Sequence, residues 1–477
     1  MRTYPHRIAK IMSWFIPSRK NRHHFLEKHD RREIERERLE KERILQEFDA
    51  NALIDVETLN RLNLRFIPIT TTPHTRFIAE LILKKLNDVG ISGAIFYEVP
   101  IEKHYEKMIH IVICPQCFEK MPKYYFAFQM EQTISNRWID EAYIDKLKKS
   151  VAVLDYSLQN IRYWYNMGFQ YKQLFYLPVF SKCKEKIRND IDPYKYDILF
   201  YGDPSSQRRK HILDVLSSKF NVKIVCEVYK EEMTQIIKES KIILNIHFYE
   251  NSLLESTRIA ECLSLGKVIV SEKGIDQAEY QYLDGIVDFV EEGNTDELVS
   301  KLSYLLECTN FQEEEKRRMD KLSSCFDKFS FCFYRVLLAH NIIDYDKFYN
   351  VIGKKFPLEK DFVCLSLPET IERRDKWLTK EGAKGAIIFD GLRHFNGVIG
   401  CALSYKFLIN RAKDLGLENI TICEDDVVFD KNHSKRLQEI REWLSIHNDW
   451  DIFAGLIADF NPNTKVLYVE KYKGEII

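Results

Sequence analysis

Tyr196-Asp197-Ile198-Leu199-Phe200-Tyr201, followed directly by Gly202-Asp203-Pro204-Ser205-Ser206, is the stretch that decides the fold. A mostly apolar strand runs into a string of turn formers, and a helix opens near Gln207 with the basic trio Arg208-Arg209-Lys210. A strand that ends in glycine and re-enters as a helix is the start of a βαβ unit. Working outward, Val222-Lys223-Ile224-Val225-Cys226, Ile242-Ile243-Leu244-Asn245-Ile246-His247 and Lys267-Val268-Ile269-Val270-Ser271 repeat the strand pattern, with helical stretches between them. An earlier set precedes Pro178: Ala94–Val99, Ile109–Cys114, Tyr125–Gln129 and Val151–Leu154. Two such sets in tandem predict two Rossmann-like halves with parallel sheets and a cleft between them.

Leu253-Leu254-Glu255-Ser256-Thr257-Arg258-Ile259-Ala260-Glu261-Cys262-Leu263-Ser264-Leu265-Gly266 carries an Arg-x-x-Glu and then a glycine turn. It resembles the donor-binding helix of glycosyl transferase group 1, the family-4-like group with the GT-B fold. The resemblance implies a nucleotide diphosphate sugar as donor. Helix N–H groups and Arg258 would face the diphosphate, and Glu261 would reach the ribose hydroxyls. Gly202, Arg208, Lys210 and His247 stand at strand C-terminal ends, where such a site gathers its contacts. No metal is required there, since Lys210, Arg258 and helix dipoles would offset the charge. The group's Glu-x7-Glu spacing is absent: Leu253 holds the first position, and Glu255 substitutes imperfectly, which leaves retaining or inverting chemistry open. A plainer reading stands beside this one, an amphipathic helix with Ile259, Leu263 and Leu265 in a core. In the first half, Gln129-Met130-Glu131-Gln132 and Asp155–Ile161 are read either as acceptor contacts or, for Asp155 and Ser157, as helix caps.

Near the C-terminus, Thr421-Ile422-Cys423-Glu424-Asp425-Asp426-Val427-Val428-Phe429 sets three consecutive carboxylates where an apolar run stops. Taken alone this is a solvated acidic turn or a site for a hard divalent cation bridging to a diphosphate. Upstream lie the strand-like Phe362–Leu367, the turn Glu369-Thr370-Ile371-Glu372-Arg373-Arg374-Asp375, and Gly397-Val398-Ile399-Gly400-Cys401-Ala402-Leu403-Ser404. In order and approximate spacing, residues 360–430 resemble glycosyltransferase family 25, the lipopolysaccharide and collagen galactosyltransferases. The resemblance implies a GT-A-like α/β module that holds Mn2+ or Mg2+ through Glu424, Asp425 and Asp426. Arg373 or Arg374 would sit at the phosphates, and Ser404 would shape the pocket. Tyr405 stands where the family carries His, and a phenol does not replace imidazole as a base near neutral pH. Few residues follow the acidic motif, so the module is expected to be truncated.

Composition frames these readings. The chain has 477 residues, 45% hydrophobic content and a net charge of −1, which suits globular domains and favours neither nucleic acid nor any other polyanion as partner. Eleven cysteines without framework spacing read as reduced thiols, several in core strands (Cys226, Cys364, Cys423), and Cys114-Pro115-Gln116-Cys117 lacks the second pair of a zinc site. Arg2, Arg7, Lys10, Arg19, Lys20 and Arg22 surround Ile8, Trp14 and Phe15; this arm is read either as a peripheral membrane anchor or as a basic leader. Lys28–Glu47 is a charged helix in expectation. With no apolar run of spanning length, the expected location is cytoplasmic, with the inner membrane face as the peripheral option.

These features predict a helical arm (1–50), the two halves of a GT-B module (51–180 and 181–350) and a partial family 25 module (355–477). The expected activity is transfer of a hexose from a nucleotide diphosphate sugar to a glycan or glycolipid acceptor such as lipopolysaccharide. The alternative is a non-catalytic sugar-binding or scaffold protein of a glycan-assembly complex.

Overall fold

The computed structural model describes residues 62–134, 138–183, 194–429 and 433–447. The basic arm and the charged helix expected before residue 50 lie outside the described residues. Among the described residues three sheets carry the fold, and every strand pairing in them is parallel. The expected α/β architecture, two Rossmann-like sheets in tandem followed by a smaller parallel sheet, is what the chain builds.

The first sheet contains β1 (Phe66–Thr70), β2 (Ser92–Phe96), β3 (His110–Ile113), β4 (Tyr125–Gln129), β5 (Ala152–Asp155) and β6 (Leu174–Tyr176), in the order β2-β1-β3-β4-β5-β6. Strands β3, β4 and β5 are buried at every residue, so they read as continuous apolar runs without alternation, as doubly covered parallel strands do. The second contains β7 (Tyr196–Tyr201), β8 (Val222–Val225), β9 (Ser240–Asn245), β10 (Val268–Glu272) and β11 (Asp288–Val290), in the order β11-β10-β9-β7-β8. The helix after β7 is Gln207–Ser217, and Ser206 caps it by accepting a hydrogen bond from the Arg209 N–H at 3.1 Å. Its Ile212, Leu213 and Leu216 share a core with Phe200, Leu244 and Val270, closed by Leu298, Leu302 and Leu305 of helix Thr295–Leu306. Cys226, expected in a core strand, is exposed and lies just past β8, because β8 is an edge strand with little cover. All eleven cysteines are free thiols.

The third sheet, β13-β12-β14, consists of β12 (Phe362–Ser366), β13 (Ile387–Asp390) and β14 (Thr421–Glu424). The chain divides into two compact units that do not follow sequence order. The first unites the described residues up to Leu358 with Gly391–Glu418, and the second takes Glu359–Asp390 and the described residues from Asn419 onward. Helix Gly397–Asp414, which carries the Gly-x-x-Gly-Cys-Ala-x-Ser segment, therefore belongs to the first unit, while β12 to β14 form the second. Asn396 caps this helix through the Val398 N–H at 2.9 Å. Its Phe407 lies among Phe331, Phe348, Tyr349 and Phe356, at ring-centroid separations of 6.0, 5.9, 5.5 and 5.5 Å. Among the described residues no helix is long and apolar enough to cross a membrane.

Candidate functional site

The second sheet has one topological switch point. From β7 the chain crosses to the edge strand β8, returns to β9 on the other side of β7, and continues outward to β10 and β11. The C-terminal ends of β7 and β9 therefore open a crevice, the usual ligand position in such sheets. Gly202 follows β7 at φ +131°, and a Cβ there would lie 2.9 Å from Nη2 of Arg258, so glycine is what lets the guanidinium reach the strand end. Arg258, in helix Ser256–Ser264, forms an ion pair through Nη1 with Oε2 of Glu255 and donates from the same nitrogen to Oδ1 of Asn245, both at 2.7 Å. Arg209 donates to the other Glu255 oxygen at 2.8 Å, to the Ile246 carbonyl at 2.7 and 2.9 Å, and to the Asp203 carbonyl at 2.9 Å.

The electrostatics follow from this geometry. Burial opposes the Glu255 charge, but Arg258, Arg209 and His247 outweigh it and hold the carboxyl well below the usual range. Burial likewise opposes the His247 imidazolium, and Glu255, Glu272 and Glu292 outweigh it, so its pKa rises. The His247 ring is fully buried; its Nε2 faces the Lys273 carbonyl at 3.2 Å, and its Nδ1 lies 3.9 Å from Glu255 with no hydrogen-bond partner.

Of the residues expected here, the structure brings together Gly202, His247, Glu255 and Arg258. Arg208 stands alongside but is committed to Glu272, donating to both its oxygens and to the His247 carbonyl. Glu272 also accepts the His247 and Gly293 N–H groups, each at 2.8 Å. Glu261, one turn into the helix, accepts the Tyr201 hydroxyl at 3.1 Å. Lys210 is exposed. The member of the basic trio at the centre is instead Arg209, which the sequence reading passed over. Helix phase was the available signal, because position 209 lies three, four and seven residues before the core positions Ile212, Leu213 and Leu216 and so shares their face.

A second polar cluster joins the two halves. Asp155, at the end of β5, is buried and accepts from Gln129 (2.9 Å), Trp164 (2.8 Å), Asn160 (3.0 Å) and the Ser157 N–H (3.0 Å); burial pushes it up to about 7. Ser157 caps helix Leu158–Asn166 and donates to Asp276 at 3.3 Å, while Glu279 accepts the Leu158 N–H and the Tyr176 hydroxyl, each at 3.1 Å. The helix-cap reading of Ser157 therefore describes its geometry. Cys114, just after β3, lies in the left-handed region at φ +56°, and burial pushes both the Cys114 and Cys117 thiols up, away from reactive thiolate.

In the second unit, three strand ends deliver Ser366, Asp390 and Asp425 to one edge. Arg374 donates to the Ser366 hydroxyl (3.1 Å) and carbonyl (2.7 Å) and to Asp390 (2.8 Å). Asp425 is buried, accepts the Ser366 hydroxyl at 2.7 Å and is paired with Arg373, which also reaches Asp426 at 3.2 Å. Glu424 ends β14 and is partly buried. Among the described residues no group of three His, Cys, Asp or Glu side chains converges as metal ligands; the aspartates here face guanidinium. Ser404, expected beside Arg373 and Arg374, belongs to the first unit. It is buried there, accepting the Leu392 N–H and donating to the Gly400 carbonyl, each at 2.8 Å.

Tandem Rossmann-like halves, with basic and acidic side chains gathered at a switch point, give the class of protein the fold defines. In its C-terminal part, residues 394–473 match the model of glycosyltransferase family 25 (LPS biosynthesis protein). The match begins within the segment that belongs to the first unit, after Arg373 and Arg374, and runs past the described residues. No curated protein matches the chain. Among solved structures it is similar to TarM (12% identity over 50% of this chain and 55% of TarM, TM-score 0.34), so it spans about half of TarM's length. It is also similar to sucrose-phosphate synthase from Thermosynechococcus elongatus (10% identity, 57% of this chain and 99% of that one, TM-score 0.38). A third likeness is to the lipopolysaccharide outer core galactosyltransferase WaaB in its apo form (8% identity, 61% and 99%, TM-score 0.31). Likenesses this loose carry no inference about activity.

Proposed function

We propose that this chain is a hexosyltransferase that uses a nucleotide diphosphate sugar as donor and a surface glycan such as lipopolysaccharide as acceptor. The observation that carries this reading is the convergence of Arg209, Arg258, Glu255 and His247 at the C-terminal ends of β7 and β9. The family 25 match supports the reaction class. When the sugar–phosphate bond breaks, negative charge develops on the departing diphosphate. Two guanidiniums already fixed by the protein, with the N-terminus of helix Ser256–Ser264 beside them, would stabilise that charge without reorganisation. Glu261, which accepts the Tyr201 hydroxyl at the end of β7, would serve the ribose hydroxyls. In the second unit a Mn2+ or Mg2+ ion at Glu424, Asp425 and Asp426 belongs to the same proposal. It would have to displace Arg373, and since Arg373 is about half exposed, such a displacement is sterically open. Peripheral membrane contact through the N-terminal arm is likewise proposed.

The full chain assayed against a panel of nucleotide sugars, with and without manganese, tests the reading. Transfer is expected with at least one UDP-sugar, and Arg258→Ala and Glu261→Ala should weaken UDP binding while leaving the thermal transition cooperative. Nucleotide affinity unchanged with both residues removed would overturn the donor site. Sugar binding without turnover would favour the scaffold reading.

A further inference from the structure

Glu255 lies between the two guanidiniums of the proposed donor site. One of its oxygens serves Arg209 at 2.8 Å and the other serves Arg258 at 2.7 Å, the bridging arrangement that a phosphoryl group adopts between two arginines. The guanidiniums do not depend on Glu255 for their positions. Arg209 is fixed by the Ile246 and Asp203 carbonyls and stacks over Phe200 and Phe248; Arg258 is fixed by Asn245 and lies over the Tyr201 ring, 5.0 Å from its centroid. Glu255 is held differently. Its backbone takes the N-cap position of helix Ser256–Ser264, yet its side chain makes no cap bond, and at 27% exposure that side chain is the most accessible of the group. One buried polar atom beside it, Nδ1 of His247, lies 3.9 Å from its carboxylate and has no hydrogen-bond partner. The carboxylate pairs with both arginines and leaves this nitrogen without a hydrogen bond, whereas a diphosphate brings more oxygens and greater charge. Glu272, the other buried carboxylate nearby, is neutralised by Arg208 and by two backbone N–H groups, and does not compete for Arg209 or Arg258.

We infer that Glu255 is a built-in occupant of the diphosphate position, holding Arg209 and Arg258 until a nucleoside diphosphate displaces it into solvent, and thereby setting the affinity of the site. The inference rests on the donor-site reading above and assigns Glu255 the opposite sign from a ligand: removing it tightens binding. It acts through the arginines and is a positioning residue.

The test uses the full chain as wild type, Glu255→Gln and Glu255→Asp, with UDP and inorganic pyrophosphate as probes in calorimetry and thermal unfolding. Glu255→Gln leaves two buried guanidiniums uncompensated and should melt lower than wild type. It should bind pyrophosphate and UDP about tenfold more tightly, and pyrophosphate should raise its melting temperature more than it raises that of wild type. Glu255→Asp, too short to bridge both arginines, should move in the same direction by a smaller factor and serves if Glu255→Gln does not fold. A merely structural Glu255 would lower affinity along with stability. Equal or weaker binding by both variants, while wild type binds UDP, overturns the inference and leaves the donor site standing. Absence of UDP and pyrophosphate binding in all three proteins overturns both.

Discussion

Arg393 lays its guanidinium over the ring of Phe175, 3.8 Å from the centroid, across more than two hundred residues of sequence. The same group donates to the carbonyls of Tyr171 (2.7 Å), Lys172 (2.9 Å) and Leu174 around the start of β6. A planar cation with several donors can serve these carbonyls and stack at once, which a lysine cannot. Arg393→Ala should therefore cost about 3 kcal/mol of unfolding free energy, the upper end for hydrogen bonds to a charged group, and Arg393→Lys should recover little of it. Denaturant unfolding of the two variants measures this.

The same segment bears on whether residues 355–477 form a module of their own. Phe407, Leu408 and Ala412 of helix Gly397–Asp414 are buried, with Phe407 against Phe331, Phe348 and Tyr349 of the first unit. The isolated fragment 355–477 should show no cooperative thermal transition, and Phe407→Ala in the full chain should cost roughly 3–5 kcal/mol. A fragment that melts cooperatively would contradict this.

Gly202→Ala should weaken UDP binding about tenfold. The new methyl lies 2.9 Å from Nη2 of Arg258, a group already held by Glu255 and Asn245, and φ +131° is unfavourable for any side chain. Calorimetry with UDP reads the loss, and an unchanged affinity would separate Arg258 from the site.

His340 supplies a pH dependence. Burial among Phe126, Phe175 and Phe395, with the Arg393 cation adding to it, pulls His340 down to about 4 although it bonds the Val336 carbonyl. The unfolded chain, with its histidine near 6.5, binds the extra proton between pH 6.5 and 4. Stability from this residue is therefore complete above pH 6.5 and is lost as pH falls toward 4, by roughly 3 kcal/mol. His340→Phe should be less sensitive than wild type across that window in denaturant unfolding at stepped pH.

For the second unit, Mn2+ titration of the full chain decides whether the acidic motif takes a cation. If it does, Arg373→Ala should bind Mn2+ more tightly than wild type, because Asp425 and Asp426 lose their competing partner, and Asp426→Asn should bind it less. Indistinguishable Mn2+ affinities for all three would leave these carboxylates as a salt-bridge network.

Much of this protein was open to reading along the chain. The strand Tyr196–Tyr201, its glycine exit and the helix from Gln207 rest on contiguous apolar and turn-forming residues, and the Glu255–Arg258 pair is a helical neighbour interaction three residues apart. Local sequence carries such features because backbone preference and helix periodicity act over a few residues. Tertiary structure alone decided the partners that lie far apart. Arg209 meets Glu255 across forty-six residues because β7 and β9 are neighbours in the sheet although β8 intervenes in sequence. Arg373 pairs with Asp425 and Asp426, some fifty residues away, since parallel strands β12 and β14 end side by side. The return of Gly391–Glu418 to the first unit was hidden as well: the apolar face of a helix shows that something must cover it, and only the folded chain shows what does.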